Sequence, residues 1–325
     1  MRVHEIIAGF ARRRMAVIVG IGLAVLVAIA AFAVLALILF RHHSDDEHYM
    51  PAASGAITDG EPVYLFGIHP LHNPQLLFEV YHPLIDYVNA RLHGGKLELE
   101  ASRNYAAYEE KLLKERRFHF ALPNPYQSVL ATKVGYRVFG QMGDNDLFRG
   151  IILVRADSGI KDVPDLKGKV VSYPAPTALA ATMMPQYYLH THGLDVRTDI
   201  KNIYVGSQES SIMSVYLGTS AAGATWPVPW NLFEAAHPDI AKLLVVRWTT
   251  DTLPNNGLLV RDDVPKAVAD QVIELLLTLR NSDEGRRIMA RIGVPRFEPA
   301  NDATYQPVRD FLARYQETIG QVPGQ

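Results

Sequence analysis

The chain has 325 residues, 48% hydrophobic and 20% charged, with 32 Lys and Arg against 34 Asp and Glu for a net charge of −2. That balance excludes disorder and low-complexity character, and without long basic runs it excludes nucleic acid as a partner. With no cysteine there is no disulfide framework, thiolate metal site, cysteine nucleophile or attachment point for a lipid.

The hydrophobic residues are unevenly spread. Residues 15–40 carry no charged or polar side chain over 26 positions, about 39 Å as a helix, enough to cross a hydrocarbon core of about 30 Å with tilt. Arg12, Arg13 and Arg14 precede this block, so 1–14 is expected to stay cytoplasmic and the rest to lie outside. Signal-peptide apolar cores run about 7–15 residues, so an uncleaved single-pass anchor is the expectation. Residues 41–61 are polar and read as a tether. His42, His43 and His48 lie there with nothing to hold them in metal geometry.

From 62 onward short β-rich runs alternate with amphipathic helices. Residues 63–68 read as a strand. In 75–92, Leu76, Leu77, Val80, Leu84, Val88 and Leu92 recur near the helical period. A strand is expected at 96–100, a helix at 105–116 and a strand at 118–122. A helix follows at 125–132, with Asn124 before it and Pro125 at its favoured first position. Strands 137–141 and 151–154 close this set. The second set comprises strand 169–173, helix 176–191, strand 202–205, helix 209–217, strand 221–226, helix 229–236 and strand 243–248. Strand 258–261 and helices 265–279, 283–292 and 304–315 complete the chain.

Repeated strand–helix units imply an α/β protein with mostly parallel sheets, and ligands then bind beyond the carboxyl ends of the strands. The loops to inspect are 69–74, 102–104, 123–124, 173–177, 206–208 and 226–229, each presenting helix N–H groups. Their chemistry-bearing residues are His69, His72, Arg103, Asn104, Asn124, Tyr126, Tyr173, Thr177, Ser207, Gln208 and Trp226. They hold no nucleophile with a base, no paired carboxylates and no metal cluster, so neither an enzyme nor a bound cofactor is expected.

Segments spread over the soluble part carry a family likeness. They are Phe66-Gly67-Ile68-His69-Pro70, Tyr81-His82-Pro83-Leu84-Ile85-Asp86-Tyr87, Leu166-Lys167-Gly168-Lys169-Val170-Val171, Val205-Gly206-Ser207, Pro254-Asn255-Asn256-Gly257-Leu258 and Tyr305-Gln306-Pro307-Val308-Arg309. In this order and spacing the chain resembles the phosphate/phosphite/phosphonate-binding proteins of ABC importers, the PhnD-like family. The resemblance implies a type II periplasmic-binding fold, whose two lobes are joined by two crossovers and close on a small anionic ligand. It also implies an ABC permease and ATPase, or a sensor partner, as the protein partners. Lobe one is expected at 62–154 and 255–299, lobe two at 155–250, the crossovers near 154–157 and 249–256, and 300–325 across the hinge. The family's hydroxyl-rich anion turn corresponds to Tyr173-Pro174-Ala175-Pro176-Thr177-Ala178-Leu179, where only Thr177 keeps an aliphatic hydroxyl and Pro176 lacks an N–H. The acidic residue that the family places near 223–230 to meet an amino group is absent; Trp226 and Trp230 stand there instead.

Overall fold

The computed structural model describes residues 60–321. The expected anchor and tether lie outside the described residues, and among the described residues no helix is long and apolar enough to cross a membrane.

Strands β1 (Val63–Ile68), β2 (Lys96–Glu100), β3 (Phe120–Leu122), β4 (Tyr136–Gly143), β10 (Gly257–Arg261) and β11 (Arg296–Pro299) form one six-stranded sheet in the order β11-β4-β10-β3-β1-β2. The second sheet has the order β7-β6-β8-β5-β9. Its strands are β5 (Arg149–Arg155), β6 (Val170–Tyr173), β7 (Lys201–Tyr204), β8 (Ala222–Thr225) and β9 (Leu244–Thr252). Four neighbouring pairs are parallel and five antiparallel. The sheets are therefore mixed, where mostly parallel ones were expected. The chain crosses between sheets without a covering helix, so β5, β9, β4 and β10 run against their neighbours.

The first crossover falls at 144–148, between β4 and β5, about ten residues before the expected position. β5 belongs to the second sheet, because its side chains Ile152 and Val154 are buried in that lobe's core. The second crossover spans 253–256, between β9 and β10. The two are laced together. The Leu253 N–H donates to the Phe148 carbonyl at 3.1 Å. The Asn255 side chain donates to the Asp144 carbonyl at 3.0 Å, and its N–H to Asn145 Oδ1 at 3.0 Å. The C-terminal helix Gln306–Thr318 lies beside this junction. Tyr305 just before it donates to the Asn255 carbonyl at 2.6 Å, and Tyr315 donates to Gln186 of the second lobe at 2.6 Å.

The helices start where capping chemistry allows. Helix α1 (Pro74–Asn89) opens on Asn73, whose side chain accepts from the Leu76 N–H, and it buries Leu77, Val80, Tyr81, Leu84, Ile85 and Val88. Helix α2 (Tyr105–Glu109) is capped by Asn104 and continues as a π turn, Glu110–Lys114. Helix α3 (Pro125–Ala131) has a full capping box between Asn124 and Gln127. The segment expected to be helical from 176 begins instead at a π turn, Leu179–Met183, which runs on into α4 (Met184–Thr191). Pro174 and Pro176 hold the preceding residues out of the helical region. Helix α5 (Gln208–Tyr216) is capped by Ser207, whose Oγ accepts from the Ser210 N–H at 3.0 Å. It crosses β8 closely: a Cβ on Gly223 would sit 2.6 Å from the Ser211 carbonyl oxygen and from Val215.

Candidate functional site

A narrow cavity lies between the lobes, lined by His69, Tyr105, Asn124, Phe148, Ala178, Leu179, Ala180, Ala181, Gln208, Trp226 and Asn256. His69, Asn124 and Trp226 stand just past the carboxyl ends of β1, β3 and β8, and the 178–181 turn follows β6. Phe148 and Asn256 come from the two crossovers. The cavity thus occupies the place that strand polarity dictates.

No Lys, Arg, Asp or Glu lines it. Its donors are neutral. The N–H groups of Leu179, Ala180 and Ala181 begin a helical run of thirteen residues and take no partner from the described chain. Free N–H groups at a helix start carry roughly half a positive charge. Gln208 is oriented by Thr225, whose hydroxyl donates to Oε1 at 2.9 Å; the Gln208 amide then points to the Tyr105 hydroxyl at 3.4 Å.

The lobes meet over this cavity. Asn124 of lobe one uses both ends of its side chain: Oδ1 accepts from the Gln127 N–H at 3.1 Å, and Nδ2 donates to the Thr177 carbonyl of lobe two at 3.0 Å. Glu109 lies nearby; burial raises its carboxyl above the usual range, partly countered by hydrogen bonds from Thr177 and Gln127.

Of the residues singled out in the sequence, His69, Asn124, Gln208 and Trp226 come together around the cavity. His72 is half-buried on the following loop, outside the lining. Arg103 is exposed, and Asn104 is spent on capping α2. Tyr126 is buried close to Glu109, its hydroxyl without a partner. Tyr173 points into the second lobe's core, its ring 6.1 Å from that of Tyr204. Thr177 is buried toward Glu109 rather than lining the cavity, and Ser207 serves as a cap. The sequence does not mark Tyr105, Phe148 or Asn256 as site residues, and it puts the helix start that supplies free N–H groups at 176 rather than at 179. Tyr105 directly follows a loop that had been marked, and Asn256 lies in the expected crossover. Three alanines and a leucine give no side-chain sign of backbone donors.

The model of the family described as "ABC transporter, phosphonate, periplasmic substrate-binding protein" matches residues 66–305. The phosphonates-binding periplasmic protein of Escherichia coli K12 is 20% identical over 266 residues, 78% of this chain and 77% of that protein. Among solved structures, the binding component of an ABC phosphonate transporter from Pseudomonas aeruginosa has a TM-score of 0.73 at 17% identity, covering 80% of this chain and 88% of that one. The PhnD1 protein of Prochlorococcus marinus, solved with methylphosphonate, has a TM-score of 0.72 at 16% identity, covering 78% and 98%. The fold is that of these two-lobed proteins, and the chain belongs to the family of periplasmic substrate-binding proteins of ABC phosphonate transporters.

Proposed function

We propose that this chain captures a small oxyanion of the phosphate–phosphonate class in the interlobe cavity. The ligand is then presented to an ABC permease and its ATPase from a membrane-anchored position. The observation that carries the ligand reading is the cavity's donor set. The N–H groups of 179–181 take no partner from the described chain, and these residues line the space between the lobes together with Gln208; free N–H groups at a helix start hold anions without a formal positive charge. The phosphonate-binding relatives make methylphosphonate the first ligand to try. Residues 15–40 would anchor the chain, with 1–14 cytoplasmic, 41–61 as tether and both lobes outside; the length and flanking arginines of that block support this.

A ligand-sensing or accessory domain of the same fold is the second reading. It is favoured by the turn at 173–179, where the one aliphatic hydroxyl, Thr177, faces Glu109. Co-purification of a permease and ATPase with the tagged chain supports transport; recovery of a signalling partner instead supports sensing.

The ligand reading is tested by thermal unfolding of the full-length protein in detergent with phosphate, phosphite, methylphosphonate and small carboxylates. A ligand at about 100 times its Kd adds about 2.7 kcal/mol. Ala180→Glu, which places a carboxylate at the helix start, should abolish the effect. If no oxyanion raises the Tm, the reading fails. Fractionation tests the anchor: release into the soluble phase by alkaline carbonate refutes it.

A further inference from the structure

The two walls of the cavity differ in hydrogen-bonding sense. The lobe-two wall donates, through the Leu179, Ala180 and Ala181 N–H groups and the Gln208 amide. The opposite side adds acceptors. His69 is 2% exposed and its Nδ1 lies 2.7 Å from the Leu122 carbonyl oxygen. A carbonyl can only accept, so Nδ1 carries the proton. The other ring nitrogen of a neutral imidazole is then a bare lone pair. Nδ1 is engaged with the backbone while the ring lines the cavity, leaving Nε2 for the ligand. Asn256, at the second crossover, adds a buried Oδ1 with no partner.

The groups around His69 leave it neutral. Tyr105 and Tyr108 of α2 place their rings 6.1 and 6.3 Å away. Burial pushes both phenols up, so they stay uncharged. His72, on the loop after β1, is held to about 4 by burial. Glu109 lies beyond Tyr105, with Thr177 and Gln127 on its carboxyl. From lobe two the cavity lining is residues 178–181, Gln208 and Trp226, none of them charged. Burial is the leading cause holding His69 itself to about 4, against the Leu122 bond that raises it.

We infer that the site selects an oxyanion that still carries a proton. A hydrogen phosphonate or dihydrogen phosphate has charged oxygens for the helix start and an O–H to donate to His69 Nε2. A sulfonate or sulfate of the same shape has only acceptors. It would set a negative oxygen against a bare nitrogen lone pair and leave that nitrogen unpaired. Sites built to pair a ligand hydroxyl reject analogues lacking it by large factors. This inference rests on the reading that the cleft binds an oxyanion, and it names the protonation state.

The test is isothermal titration of the full-length protein in detergent with methylphosphonate and methanesulfonate, between about pH 6 and pH 9, where His69 does not titrate. Methylphosphonate affinity should fall about tenfold per pH unit above the ligand's second ionisation. Methanesulfonate should bind at least roughly 100-fold more weakly than methylphosphonate at the low end, with no pH dependence. His69→Asn keeps an amide donor for Leu122 while removing the Nε2 acceptor, so it should narrow the gap between the two ligands. The wild-type comparison stands without it should that variant not fold. Equal affinity for the sulfonate overturns the inference, as does methylphosphonate binding that is flat or tighter at high pH. So does sulfonate binding that strengthens on acidification, which would make the protein the titrating partner. If neither of these nor phosphate and phosphite binds at any pH, the oxyanion reading itself falls.

Discussion

Asn124 performs two separable tasks, and two substitutions should resolve them. Its Oδ1 caps α3 through the Gln127 N–H, and its Nδ2 bridges the lobes to the Thr177 carbonyl. Asn124→Ala removes both. Loss of an N-cap costs about 1 kcal/mol, and a neutral hydrogen bond contributes about 1 kcal/mol net. The first loss weakens the fold whether the lobes are apart or together. The second applies only when they meet, so it shifts the open–closed balance by about fivefold. Asn124→Ser keeps a capping oxygen, since serine caps as well as asparagine, but it is too short to reach lobe two. Urea unfolding should therefore place Asn124→Ala about 1 kcal/mol or more below Asn124→Ser. Both variants should populate an opened cleft equally. The chain has no cysteine, so spin labels at Glu79→Cys in lobe one and Leu217→Cys in lobe two, both exposed positions, report the interlobe distance. Should Asn124→Ser lose as much stability as alanine, the capping argument is wrong. Should neither variant broaden the distance distribution, the bond to Thr177 does not hold the lobes together.

Three further outcomes follow from the same contacts. Thr225→Val keeps the shape but leaves the buried Gln208 Oε1 unpaired, costing about 1–3 kcal/mol of stability; it also frees the amide to turn, so methylphosphonate titration should show weaker binding, and unchanged affinity would mean that Gln208 is not oriented by Thr225. Gly223→Ala should destabilise by about 1–3 kcal/mol, because its Cβ meets the Ser211 backbone at 2.6 Å, while affinity per folded molecule stays the same. His69 is lowered from 6.5 to about 4, chiefly by burial, so its neutral form is favoured in the fold. The stability from this group is complete above 6.5 and is lost as pH falls toward 4, on the order of 3 kcal/mol. Unfolding of the unliganded protein across that range should show an acid limb that His69→Asn flattens; an identical limb in the variant refutes the assignment.

Much of this protein was legible in the chain. The period of Leu77, Val80, Leu84 and Val88 marks a helix because one face must be buried, and Asn124-Pro125 marks a helix start because few residues satisfy free N–H groups there. The order of strand and helix runs also pointed to the loops that hold His69, Asn124, Gln208 and Trp226 around the cavity. Strand direction was not legible, because β5 and β9 have the same apolar runs whether their neighbours run with or against them; only the crossovers at 144–148 and 253–256 decide it. Nor could side-chain identity show that the free backbone donors at the cavity are the N–H groups of Leu179, Ala180 and Ala181, since an N–H is common to nearly every residue and is left without a partner only where a helix begins. Tertiary structure alone also sets His69 in place. The Leu122 carbonyl, 53 positions away in the chain, takes the Nδ1 proton, and the surrounding core removes the water that would let the ring charge.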